Sequence, residues 1–406
     1  MRPKANAGFV TKCCCFIAAA SIMPFVSRII SMYLTTYFYM VVLVLTALLI
    51  LFSDSQSFGR YVSWLFPFIV WKLCTLTTNS DSIVMWGYRV LRDFIPLLAG
   101  LYLFDEPPER LSLLSKCIIL ALAVTSVTTI LGVSAYPDAP RWMATAESSQ
   151  DPMLIAYNLR NIGGYEFIYT LVLMYPLLIY AYKIKRINAV FTYALTALTA
   201  VAVFSTGYAT AFVLFVLSSL LFFAGKRMSV KKMITLLIGA AIAYFLFSSL
   251  VSRLLLRLSL MTNNLDFRER LFSLSGGLSG VENSESNRTE LWQMSINTFL
   301  RHPLFGTFLS GGRGTGGHSF ILDFLGIYGS FGAVLLVSMY KRIFRAFYRP
   351  FITYDGYGYA VWIFFQALLL STVNTGMWLY VLAFYAPVML KWITRGVNRY
   401  ESVMEP

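Results

Sequence analysis

Residues 301–320 read RHPLFGTFLSGGRGTGGHSF, and they gather both histidines of the chain, His302 and His318, with Arg301, Arg313 and six glycines. Guanidinium groups grip phosphate oxygens through paired N–H donors and keep their charge at any physiological pH. Imidazole titrates near neutrality, which makes His318 a usable general base. Glycines let backbone N–H groups approach an anion closely. The chemistry these types suggest is capture of a phosphate-bearing substrate with a proton acceptor beside it. A nucleotide loop is excluded, because the G-x-x-x-x-G-K-[ST] spacing and a preceding strand are both missing. Metal catalysis is not expected either: the chain has no H-E-x-x-H, no paired-cysteine motif and no D-x-D, and the two histidines are far apart in sequence. No cofactor is anticipated.

The flanking residues extend the pattern. Asn287 and Glu290 have capping-box spacing, and Trp292, Ile296, Phe299 and Leu300 recur at i, i+4, i+7, i+8. This predicts an amphipathic helix over about 287–301, lying in a membrane interface, with Arg288 in its first turn where the backbone already attracts anions. The bland alternative is an amphipathic helix with an incidental arginine. Ser319 and Asp323 are four apart at the head of the next apolar run, so the carboxylate is read as lining the site. Arg89 and Arg92 share a helix face inside another apolar run, a placement that is costly unless they face a polar cavity or a ligand.

The elements that must position these groups are set by composition. Hydrophobic residues make up 58% of the 406, charged residues 13%, and mean hydropathy is +0.67. Such a chain is read as an all-α, polytopic integral membrane protein, a single transmembrane unit over 1–406 with the lipid bilayer as its solvent. Apolar runs of about 20 residues, with two overlong runs split at Arg28 and at Ser205-Thr206-Gly207, predict twelve helices. They fall at 11–28, 31–52, 60–78, 83–104, 113–135, 165–183, 188–204, 207–224, 232–251, 318–340, 358–373 and 376–394. The N-terminal stretch reads as a retained first span rather than a removable signal. The five cysteines, Cys13, Cys14, Cys15, Cys74 and Cys117, avoid the hydrophilic segments, so no disulfide framework is implied.

With both termini placed inside, 20 of the 33 basic residues fall on inner segments, 10 on outer ones and 3 within spans. The net charge of +14 is therefore a membrane-orientation signal and not a nucleic-acid footprint. All ten outer residues are arginine: Arg28, Arg141, Arg160, Arg253, Arg257, Arg268, Arg270, Arg288, Arg301 and Arg313. Half of the inner ones are lysine. Solubility would accept either residue, whereas bidentate phosphate capture prefers arginine. Two long outer segments result, about 136–164 and about 252–317, the second carrying seven of the arginines.

Arg288-x-x-x-Trp292, HPLFG at 302–306, the glycine-rich gap, His318-Ser319 and Gly329 together resemble the signature of the O-antigen polymerase and O-antigen ligase family. The motif covers about 280–335; the remainder matches by topology, twelve helices with a large outer loop between helices nine and ten. The resemblance implies a glycosyltransferase of GT-C-like fold in the bacterial inner membrane, with its active site on the extracytoplasmic face. The implied donor and acceptor are undecaprenyl-pyrophosphate-linked oligosaccharides, and a chain-length regulator and a flippase are implied as partners. By carry-over, Arg288 binds pyrophosphate and His318 assists attack by the acceptor. Arg160 sits where the family often has a functional arginine, and Arg301 and Arg313 are lesser candidates. The chain departs from the ligase pattern in having Tyr208 where an arginine is common and Ile327 where an acid is common, which favours a polymerase of capsule, exopolysaccharide or O-antigen repeats over a ligase.

A flippase for the same lipid-linked glycan stands as the rival class. It would spread charge along central helices and show related halves; here the arginines concentrate on one outer segment.

Overall fold

A computed structural model describes residues 15–17, 23, 36–53, 58–78, 82–145, 153, 156–157, 160–262, 265–275, 286–312, 314–354 and 356–394. Among the described residues there are helices and no strand. In chain order they are α1 (Thr36–Ser53), α2 (Phe58–Thr78), α3 (Ile83–Phe104), α4 (Ser112–Ala135), α5 (Ala139–Thr145), α6 (Tyr165–Lys183), α7 (Ala189–Thr206), α8 (Ala209–Ser219), α9 (Val230–Leu246), α10 (Ser248–Met261), α11 (Leu265–Ser275), α12 (Ser286–Arg301), α13 (Phe320–Ile343), α14 (Tyr357–Val373) and α15 (Ala386–Ile393). A π-helical segment, Tyr380–Tyr385, leads into α15, and another, Phe344–Tyr348, extends α13.

By length and composition, four helices are able to cross a membrane: Pro108–Ala135, Tyr165–Lys183, Ala189–Thr206 and Phe320–Phe351. The expected segment 11–28 lies almost entirely outside the described residues. Within the described residues, the other expected apolar segments are helical, though not all as single helices. The segment expected at 232–251 is broken: α9 ends before Phe247, whose backbone leaves the helical region, and α10 restarts at Ser248. Residues 252–317, expected as a loop with one helix, carry most of α10 and all of α11 and α12. The arginines of 253–270 read as hydrophilic interruptions. They nevertheless lie within helices, and α10 packs against α11.

The centre of the bundle is α6. Its apolar stretch is 78% buried, against 28% for α7, so it is encased by protein where α7 leaves its flank open. It packs against α7, α8, α14 and α15. Its entry point is fixed from α4: Thr129 Oγ1 accepts from Gly163 N at 2.8 Å, and Thr128 Oγ1 donates to Asn161 O at 2.9 Å. Asn161 takes a left-handed conformation (φ 59°), which asparagine tolerates better than most residues. A side chain on Gly163 would run into Thr129 Oγ1 at 2.6 Å. The chain is thereby clamped just before Tyr165.

The second fixed joint is in α13. Gly329 (φ 63°, ψ −151°) kinks the helix, and the amides after the kink lose their helical acceptors. The HPLFG segment replaces them. Pro303 O accepts from both Ser330 N and Ser330 Oγ at 2.8 Å, and Leu304 O accepts from Phe331 N at 3.1 Å. Thr307 N in turn donates to Gly326 O. Gly306, also left-handed (φ 60°), lies against Gly329, where a Cβ would stand 2.6 Å from Gly306 N. The spacing of P-L-F-G and the downstream glycine is thus explained by a mutual packing joint.

Candidate functional site

Five chain segments converge toward one end of the bundle: the C-terminal half of α2, the middle of α3, the N-terminal turns of α6 and α13, and residues 375–381 after α14. They enclose a cavity of about 300 Å³ lined by, among others, Trp71, Lys72, Arg92, Asp93, Tyr165, Glu166, Phe320, Trp378 and Tyr380. Lys72, only 8% exposed, donates to Asp93 Oδ2 at 2.5 Å and lies over the Trp71 ring at 3.9 Å. Asp93 Oδ1 is 3.9 Å from Arg92 Nε, so one carboxylate bridges two cations. This is how charged groups persist among apolar helices, each paired rather than alone. Arg92 also interacts electrostatically with Glu166 across the cavity, and Tyr380 OH donates to Arg92 O.

Of the aromatic cluster here, Tyr165 and Trp378 line the cavity and Tyr169 and Tyr208 pack against them, with Tyr165 and Tyr169 centroids 4.6 Å apart and Tyr169 and Trp378 5.4 Å apart. Trp378 sits at φ 57°, a conformation that costs a bulky residue on the order of 1–3 kcal/mol and that concentrates at ligand sites. Its indole N–H is buried and without a hydrogen-bond partner among the described residues. The connection carrying it is pinned at both sides: Asn374 O accepts from Phe320 N at 2.8 Å and Gly376 O accepts from Ser371 Oγ at 2.9 Å.

The sequence-derived residues distribute unevenly around this cavity. Arg92 lines it. Arg288, half-buried in the first turn of α12, does not line it but interacts electrostatically with the phenol of Tyr165, which does. Arg89 is exposed and does not line the cavity. His318 is exposed two residues ahead of the cavity-lining Phe320. Arg160 is exposed and stacks on Tyr136 at 3.9 Å. Arg301 is exposed at the far end of α12. Arg313 lies outside the described residues.

Asp323 is engaged elsewhere than in the cavity: Oδ1 accepts from Ser295 Oγ at 2.5 Å and Gly317 N at 3.2 Å, and Oδ2 from Ser319 N at 3.0 Å. The glycine ribbon is likewise folded inward. Gly316 N donates to Ser295 Oγ, Gly312 N to Thr307 O, and Thr298 Oγ1 donates to Gly314 O. These amides satisfy the protein itself, so the expectation that the ribbon presents them to an anion is corrected. Removing the Asp323 carboxylate takes the acceptor from the Gly317 and Ser319 amides, while Ser295 Oγ keeps Leu291 O at 3.3 Å. Asp323→Ala is expected to cost about 1–3 kcal/mol locally and to raise amide exchange at Gly317 and Ser319 about tenfold or more, with Asp323→Asn retaining part of the protection.

On α12 the expected apolar face is divided, with Trp292 and Phe299 half-buried and Ile296 and Leu300 open to the surroundings. Ser295 and Thr298 are buried against the ribbon, whereas Ile296, Leu300, Leu304, Phe305 and Leu309 are exposed. Lys72, Asp93, Glu166, Tyr165 and Trp378 were not singled out from sequence as site residues. The available signal was the presence of Lys72 and Asp93 inside apolar helices, one charge of each sign. No family model matches the chain, and no curated protein matches it. What fold and site together define is an all-helical protein, with helices apolar enough to cross a membrane, that holds an aromatic cavity with paired charges at one end.

Proposed function

We propose that this protein is a twelve-span glycosyltransferase of the bacterial inner membrane that polymerises undecaprenyl-pyrophosphate-linked oligosaccharide repeats on the extracytoplasmic face. The observation that carries the reading is a cavity that Arg92 lines together with aromatic rings and the carboxylates Asp93 and Glu166, with Arg288 interacting electrostatically with Tyr165 of the same lining. Aromatic faces and carboxylates suit a saccharide, and paired guanidinium groups suit a diphosphate. The ends of the helices that meet there are those assigned to the outer side by the lysine and arginine count. The exposed apolar side of α12 and of the 304–309 turn offers a surface over which a polyprenyl chain reaches the cavity.

In the reaction, an acceptor hydroxyl attacks the anomeric carbon of the donor. The new C–O bond forms as the bond to the diphosphate oxygen breaks. The diphosphate departs on its lipid, its growing charge stabilised by Arg288 and Arg92. The hydroxyl proton passes to His318 at the entrance of α13; Glu166, which lines the cavity, is the competing acceptor. Ligation of the glycan to a lipid core and flipping of the lipid-linked glycan are the rival functions.

The deciding experiment uses the purified full-length chain with a lipid-pyrophosphate-linked repeat and no added metal. A ladder of repeats is the expected product. Transfer only to a lipid core indicates a ligase, and translocation in vesicles without any glycosyl transfer overturns the enzyme reading.

A further inference from the structure

Away from the cavity the structure carries a second built feature, independent of the glycosyltransferase reading. The C-terminal part of α13 and the N-terminal part of α2 form a groove of about 520 Å³ lined by Trp64, Ser338, Lys341, Arg342, Arg345 and Ala346. No carboxylate lines it. Arg342 is anchored, its Nη1 donating to Ser63 O at 2.7 Å and to Trp64 O at 3.2 Å, which fixes one guanidinium at the floor. Lys341 and Arg345 flank it, both exposed and, among the described residues, in no ion pair. Arg345 belongs to the π-helical segment Phe344–Tyr348, a distortion of the kind that recurs at functional positions.

Two observations select the ligand. On the approach to the groove, α13 leaves Val334 and Val337 70% and 64% exposed, two turns and one turn before Lys341 and on the same side of the helix. An apolar stripe therefore runs directly into a cluster of three cations, the profile of an acyl chain ending in an anionic headgroup. Second, the segment that carries these three cations follows the tenth expected span, on the side that the lysine and arginine count assigns to the inner face.

We propose that this groove is a binding site for the phosphate headgroup of an anionic phospholipid of the inner leaflet. Arg342 and Arg345 take the phosphate oxygens, Lys341 supplies the additional charge, and Trp64 sits at the glycerol level, where indole favours the membrane boundary.

The test is native mass spectrometry of the full-length protein titrated in detergent with dioleoylphosphatidylglycerol or dioleoylphosphatidylcholine. The wild type is expected to retain the glycerol lipid preferentially. Lys341→Ala with Arg345→Ala should weaken that retention about 30-fold, roughly fivefold for each charge removed, and Lys341→Arg with Arg345→Lys should keep it. Should the double alanine variant fail to fold, Lys341→Ala alone is read for its fivefold loss. Equal retention of the two lipids by the wild type, unchanged retention after charge removal, or displacement of the glycerol lipid by millimolar inorganic phosphate each overturns the proposal, the last because the site would then take free phosphate.

Discussion

Arg288→Ala is expected to reduce repeat addition by about 10²–10³-fold, the loss typical of deleting one preorganised group that stabilises a developing oxyanion. Arg288 is half-buried at a helix start and packs into no core cluster, so expression and thermal stability in detergent should change little. Arg288→Lys should recover only part of the activity, because a point charge replaces a fork that holds two oxygens at once. The internal control is Arg301→Ala. Arg288 and Arg301 are thirteen residues apart on one helix, about 20 Å, too far for both to hold the same diphosphate. Arg301→Ala is therefore expected to cost less than about tenfold. The measurement is the initial rate of ladder formation at saturating lipid-linked donor. Equal losses for the two variants would mean that the outer arginines act as a diffuse field, and the cavity would lose its claim to the reaction.

How much of this was legible beforehand differs between elements for physical reasons. Apolar runs between basic clusters locate helices well: α6 was expected at 165–183 and spans Tyr165–Lys183. Period and length are local properties, readable without knowing any partner. The Arg288 turn was also readable, since a helix start before an apolar repeat is a local signal; the helix begins at Ser286, one residue before the expected 287. Cavity walls are not local. Lys72 and Asp93 are 21 residues apart and meet across α2 and α3, and Tyr165 and Trp378 come from opposite halves of the chain. The glycine ribbon misled for a related reason. Glycine supplies backbone freedom for an anion and for close packing alike, and only the partners, Ser295, Thr298 and Asp323, show that the ribbon folds on itself.

Gly329→Ala tests the joint on which the site's second half rests. At φ 63° and ψ −151° only glycine is at ease, and the strain for alanine is about 1–3 kcal/mol. Its methyl would also stand 2.6 Å from Gly306 N and from Leu304 C and O, backbone atoms that cannot rotate away; forced overpacking of that kind adds about 1–3 kcal/mol. Together these predict a destabilisation of roughly 2–6 kcal/mol, read as a lowered Tm in detergent and as faster proteolysis near 303–307. Gly306→Ala meets the Ile327 backbone at 2.3 Å and should behave alike. The double variant should cost less than the two singles combined, because once the contact has opened the second methyl enters space the first has made. Gly239→Ala is the contrasting case: its Cβ meets nothing within 4 Å in the helix α9, so it should be neutral or stabilise by up to about 1 kcal/mol. If Gly329→Ala melts with the wild type, α13 straightens without penalty and the HPLFG turn does not need its glycine partner. The entrance of α13, with His318 and Phe320, would then be positioned by the Phe320–Asn374 hydrogen bond and the Asp323 network alone.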